Sequence, residues 1–382
     1  MKNYDLLVVS VEPFPYGKAA TNRMISYLVG LAEEKSVLYL CLSGPRYNNS
    51  QELDRKGTYN GIEFEYMGSP IVPSYPNIVQ RTLNLILRYL KLYYLLIFKI
   101  KTKSILLYSS DHRLTNIIYL ISRIRGFNTF RDVTELVGHN YLRDNRALSQ
   151  MKKQALRLSG LLTISKGIYD FFDNLPDNKK FLLPVLVDIS RFSVSDDKEK
   201  YFFYCSGANL ERDGLLDTLK GFLLFADRNP GYTLQIASMI NIDNAYHLEC
   251  KKMIDAHSDC IHYLGALPSY EIPIKMSRAT ALFLTPHHNY ETKGFPTKLG
   301  EYLASATPTI CSSIDDLMDV IDDNIAYIVK PNSPNLIAEA IEKIVCNEQQ
   351  AKEVGLSGRN FMIRNYTINS YKDKLIDFLK LN

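Results

Sequence analysis

The residues best suited to chemistry lie between Thr285 and Pro308. An apolar run, Ala281-Leu282-Phe283-Leu284, reads as a buried parallel strand. A polar loop holding Glu291, Gly294 and Pro296 follows, and a helix opens with Thr297 as its N-cap. Thr309-Ile310-Cys311 returns as a strand. Strand, loop and helix start make an anion site, because the first-turn N–H groups lack partners and carry the positive end of the helix dipole. Lys298 stands within reach of a phosphate there. Glu301, one turn on, suits the paired hydroxyls of a ribose. The same residues also fit an ordinary strand-to-helix connection with Thr and Glu in capping-box-like places.

Three further groups have chemical potential. Thr129 to His139 is a strand running into a loop, and strand ends are where α/β sheets set functional groups, so Asp132, Glu135 and His139 are candidates. The alternative is a set of surface polar residues in a connection. The loop from Ser206 to Gly214 follows the apolar strand Tyr201 to Cys205 and carries Gly207 and Arg212, whose planar fork suits phosphate oxygens. A first loop, Glu12 to Ala20, holds Gly17 and Lys18.

The string Gly294-Phe295-Pro296-Thr297-Lys298-Leu299-Gly300-Glu301-Tyr302-Leu303-Ala304 resembles the signature region of the retaining GT-B glycosyltransferases of family four, the glycosyl transferases group 1. Weaker likenesses extend over nearly the full chain: Ser165-Lys166, Val187-Asp188 leading to Phe192, Arg212-Asp213-Gly214 and Leu264-Gly265. The resemblance implies an α/β GT-B fold of two doubly wound, Rossmann-like domains facing a cleft. It implies transfer of a sugar from a UDP- or GDP-linked donor to a glycan or lipid-linked glycan, with retention of configuration, in cell-surface polysaccharide assembly. The donor would meet Gly17, Lys18, Gly207, Arg212, Gly265, Gly294, Phe295, Pro296, Thr297, Lys298 and Glu301. Asp132, Glu135, His139 and Glu291 would lie near the reacting sugar. Three departures stand out. Ala208 occupies a place where the family has an arginine, the motif at 187–192 lacks its glycine, and Lys293 falls where the first signature glutamate belongs, with Glu291 two residues earlier. A GT-B sugar-nucleotide epimerase, or a non-catalytic subunit that keeps the fold, are the alternatives. No Asp-x-Asp is present, so no metal and no cofactor are expected beyond the nucleotide sugar.

The elements that must position these groups follow the βα alternation twice. At 382 residues the chain has room for two domains. The polar stretch Ser193 to Lys200 suggests a boundary near 190; the resemblance implies that residues 1–190 lie on the acceptor side and 191–365 bind the donor. The terminal segment, about 366–382, has Tyr371, Leu375, Phe378 and Leu379 at helical spacing, and the resemblance implies that this helix packs back on the first domain. Six scattered cysteines without a CxxC pair read as reduced thiols of a cytoplasmic protein. A net charge of +4 gives no argument for nucleic acid.

One stretch has an unusual composition. No Asp or Glu occurs from Met67 to Ser110. Ile78 to Ile100 reads as one long helix with Arg81, Asn84, Arg88, Lys91 and Lys99 on one face, followed by Lys101 and Lys103. Charges interrupt it too often for a membrane span. A basic helix over 78–103 on the anionic inner face of the plasma membrane fits, as does a crossover helix packed on the sheet.

Overall fold

A computed structural model describes residues 1–17, 19–44, 54–68, 78–109, 111–136, 145–207, 209–268, 270–287, 297–314, 318 and 321–382; at 19, 78–85, 145, 146 and 297 it describes backbone only. The chain divides into two compact units: Met1–Leu186 with Ile368–Asn382, and Val187–Thr367. The first boundary thus falls a few residues before 190. Val187 already belongs to the second unit, its N–H donating to Tyr366 O at 2.8 Å.

Unit 1 holds β1 (Lys2–Ser10), α1 (Ala19–Ala32), β2 (Val37–Cys41), β3 (Lys56–Tyr59), β4 (Ile62–Tyr66), α2 (Ile78–Tyr94), β5 (Ile100–Tyr108), α3 (His112–Arg125), β6 (Asn128–Val133), α4 (Asn145–Ala155), β7 (Gly160–Thr163), α5 (Lys166–Phe171) and β8 (Lys180–Leu182). The strands form one sheet in the order β3-β4-β2-β1-β5-β6-β7-β8, parallel except for the β3–β4 hairpin. Side chains alternate across a strand, so a sheet covered on both faces needs apolar residues at every position. β1 does this: Leu6 and Val8 enter one core, Leu7 and Val9 the other.

Unit 2 holds β9 (Tyr201–Cys205), α6 (Leu215–Ala226), β10 (Thr233–Ala237), α7 (Ala245–Ala256), β11 (Ile261–Gly265), α8 (Glu271–Arg278), β12 (Ala281–Leu284), α9 (Thr297–Ala304), β13 (Thr309–Ser312), β14 (Tyr327–Val329), α10 (Pro334–Cys346) and α11 (Glu348–Asn365). Its sheet runs β11-β10-β9-β12-β13-β14, with parallel neighbours throughout. The chain moves outward from β9 to β11, then returns to the other side of β9 as β12. The order therefore reverses between β9 and β12, and ligands of open α/β sheets bind beyond the strand ends at such a point. A last helix, α12 (Lys372–Phe378), returns to unit 1, where Leu375, Ile376, Leu379 and Leu381 are buried in the α1-side core.

Two expected elements differ. The helix over 78–100 ends at Tyr94, continues as a π turn over Leu95–Lys99, and gives way to β5 at Ile100. β5 pairs along the whole nine-residue length of β1, the register running from Lys2↔Ile100 to Ser10↔Tyr108. Lys101 and Lys103 therefore lie on a strand, where Lys103 pairs with Asp5 at 3.0 Å. Second, α9 begins at Thr297, which is its first residue and not its N-cap.

The outward face of α2 and the π turn is more apolar than the basic stripe suggests. Leu92 and Leu96 are buried, whereas Ile86, Leu87, Leu90, Tyr94 and Phe98 are 49–61% exposed. Lys99 lies over the Tyr94 ring, and Lys91 bonds Glu65 at 3.2 Å. None of the described helices is long and apolar enough to cross a membrane.

Candidate functional site

The site in unit 2 is built where β9 and β12 end. Gly214 closes the loop after β9 with φ of +71°, and a Cβ there would lie 1.7 Å from Thr285 O at the end of β12. Only glycine fits both constraints. The two loops are then clasped: the His287 N–H donates to Arg212 O at 3.2 Å, and the Thr218 and Thr285 hydroxyls meet at 2.7 Å.

α9 is fixed to the same place. The Tyr302 hydroxyl donates to Cys205 O at 3.1 Å and accepts from Cys205 N–H at 3.2 Å, and its ring is fully buried. This sets the first turn of α9 against the end of β9. Lys298 Nζ then donates to Asp213 Oδ2 at 2.8 Å, while Arg212 Nε donates to Asp213 Oδ1 at 2.7 Å and the Ser206 hydroxyl bonds Oδ2. Asp213 is 7% exposed. Burial alone would raise its pKa, but the Lys298 charge and the bond and charge of Arg212 outweigh that and bring it to about 2. A carboxylate that stays ionised therefore holds two cations together at the sheet's reversal point.

Glu301 lies one turn beyond Lys298 and accepts from Arg191 Nη1 at 3.0 Å, both side chains about a quarter to a third exposed. Arg191 sits in a 3-10 turn (Ile189–Arg191) that Asp188 caps through Ser190 N–H. Arg359 closes the back of this region by donating to Phe192 O and Ala304 O.

The neighbouring loops align with these. Met239 N–H donates to Gly207 O at 3.5 Å and Ser238 N–H to Gly265 O at 3.0 Å. Gly265 has φ of +70° and no atom within 4 Å of where a Cβ would stand, so its face is open. A cavity of about 390 Å³ adjoins, lined in part by Asn209, Glu211, Asn241 and Asn244.

The structure thus brings together Gly207, Arg212, Gly265, Lys298 and Glu301. Lys18, His139, Glu291, Gly294, Phe295 and Pro296 lie outside the described residues, and Thr297 is described only as the start of α9. Gly17 is in unit 1, where a Cβ would stand 1.9 Å from Thr21 Oγ1, so the turn there leaves no room for a side chain. Glu135 is exposed after β6. Asp132 has a different role from the one expected. It is buried and accepts from Arg23 Nε and Nη2, both at 3.0 Å, and from the Tyr27 hydroxyl at 3.1 Å. Arg23 also donates to Leu183 O and Pro184 O. The carboxylate is consumed by a buried ion pair tying α1 to β6, which leaves no surface for a substrate. Sequence reasoning assigned nothing to Asp213, Ser206 or Arg191. The string Arg212-Asp213-Gly214 contained the signal, but the Lys298 partner is 85 positions away.

The two sheets define a fold class: two Rossmann-like units, as in known GT-B glycosyltransferase structures. The chain is similar over 98% of its length to 98% of a sucrose-phosphate synthase from Thermosynechococcus elongatus, at 13% identity and a TM-score of 0.72. It is likewise similar to HepE from Anabaena, solved with UDP, at 11% identity and a TM-score of 0.70, over 98% of this chain and 99% of that one. A glycosyltransferase from Rickettsia africae matches at 13% identity and a TM-score of 0.66, over 99% and 98%. Residues 187–361, within unit 2, match the family model described as glycosyl transferases group 1. No curated protein matches the chain.

Proposed function

We propose that the protein is a metal-independent retaining glycosyltransferase that moves a hexose from a UDP- or GDP-linked donor to a glycan or lipid-linked glycan. The observation that carries this reading is the convergence of Arg212 and Lys298 on one point at the β9–β12 reversal, with Glu301 one turn along α9. Two cations and a helix N-terminus are what a departing nucleoside diphosphate requires, since its developing charge is stabilised by fixed dipoles and donors. Glu301 suits the ribose, and the open face at Gly265 suits a base. The family match over 187–361 and the UDP bound to HepE support the same assignment.

The acceptor side includes a membrane. The half-exposed stripe of Leu87, Leu90, Tyr94 and Phe98 lies beside Lys91 and Lys99 in a segment without acidic residues. Such a face fits shallow insertion into an anionic leaflet, with the cations at headgroup level. A cytoplasmic protein held at the inner face of the plasma membrane would meet a lipid-linked acceptor there.

A panel of nucleotide sugars, read by mass spectrometry with and without a glycan acceptor, tests the reading. Sugar transfer or slow donor hydrolysis is expected, and excess EDTA should leave the rate unchanged. Release of an altered free sugar nucleotide would replace it with epimerisation. Absence of turnover with every donor would point to a non-catalytic subunit.

A further inference from the structure

We infer that Asp213 is a positioning residue for the donor diphosphate, holding Arg212 and Lys298 as a pair; the inference rests on the assignment of those cations to the diphosphate. Three donors reach this one carboxylate: Arg212 Nε, Lys298 Nζ and the Ser206 hydroxyl. Each comes from a different piece of backbone. Ser206 directly follows β9, Arg212 lies in the loop, and Lys298 stands in the first turn of α9, anchored separately by Tyr302. Without a negative group between them, two cations drawn together would repel, and a lysine with four rotatable bonds would sample many positions. With Asp213 in place, Lys298 donates one of its three N–H groups to a buried carboxylate held below its ordinary pKa and keeps its ammonium at the start of α9, its side chain 24% exposed.

The chemistry makes a demanding prediction because charge and position oppose each other. A carboxylate beside an anion site weakens anion binding by simple Coulomb repulsion. If Asp213 only balanced surplus charge, removing its charge would tighten diphosphate binding. If it positions the cations, removing its charge weakens binding although the site becomes more positive. Asparagine keeps the shape but offers one acceptor and one donor, so one of the two cations must lose its partner. Asp213 makes no contact with a reacting atom in this account. It acts through Arg212 and Lys298.

The test is calorimetric binding of UDP and GDP to the full chain. Wild type, Asp213→Asn, Lys298→Ala and the double variant are compared, with thermal unfolding as a check on folding. The expected result is at least a tenfold rise in Kd for Asp213→Asn. In the Lys298→Ala background the same change should have a much smaller effect, a coupling that general loosening of the loop would not produce. Because Asp213 is buried, Ser206→Ala serves as a second probe that leaves every charge in place; a smaller rise in Kd is expected. Equal or tighter binding by Asp213→Asn, or full additivity with Lys298→Ala, would overturn the inference while leaving the diphosphate site intact. If Asp213→Asn does not fold, unchanged binding by Ser206→Ala overturns it. A wild-type protein that binds neither nucleotide would overturn the functional reading, and this inference with it.

Discussion

At the scale of single residues, the site is a small set of charges whose partners decide what each can do. Arg212 and Glu301 are exposed enough to meet a ligand, at 39% and 26% of their side chains. Arg212→Ala and Glu301→Ala should each weaken UDP binding by about 1.5–3 kcal/mol, the range for hydrogen bonds to charged groups. Isothermal titration with both variants checks this, and unchanged affinity in both removes them from the donor site. Asp132 predicts the opposite pattern. Asp132→Ala leaves Arg23 buried and unpaired, which should cost about 3–5 kcal/mol of stability in urea titration. UDP affinity should hold, because the proposed nucleotide contacts Arg212, Lys298 and Glu301 all lie in unit 2. Arg212 and Lys298 were legible in the sequence because a local string supplies both the cation and the turn that presents it. Asp213 and the burial of Asp132 were not, since each depends on a residue roughly a hundred positions away meeting it across the fold.

At the scale of elements, apolar runs gave the parallel strands directly, because strands buried on both faces carry no polar interruptions. The failure at Ile100 has a physical cause. Leu95 to Ile100 continues an apolar helical period, and nothing local records that Ile100 pairs with Lys2 at the start of β1. The same misreading placed Lys101 and Lys103 on a helix. With Lys91 bonded to Glu65 and Lys103 to Asp5, fewer cations remain for the proposed membrane docking than the stripe implied, and the apolar groups would carry more of any attraction. Replacing Leu87, Leu90 and Phe98 together by Gln should therefore reduce sedimentation with anionic vesicles at least as much as replacing Lys91 and Lys99. Vesicle binding by wild type that vanishes only with the lysine changes would return the weight to electrostatics. These positions are half exposed already, so the substitutions should leave thermal stability nearly unchanged.

At the scale of the whole molecule, the two units differ in how the chain supplies them. Unit 2 is one continuous segment, 187–367, whereas unit 1 needs a piece from each side of it. The segment 187–367 is expected to fold alone and bind UDP, measurable by circular dichroism and calorimetry. Removing 368–382 should destabilise unit 1 by several kcal/mol, since Leu375, Leu379 and Leu381 are fully buried and each contributes about 1.5–3 kcal/mol. A differential scan would show unit 1 melting earlier and unit 2 unmoved. This arrangement reverses the usual sequence of events on the ribosome, where the N-terminal domain closes first. Here Leu379 leaves the exit tunnel only after all of unit 2 has been made. Until then the first half of the chain stands with part of its apolar interior uncovered, the kind of surface a holding chaperone would be expected to cover.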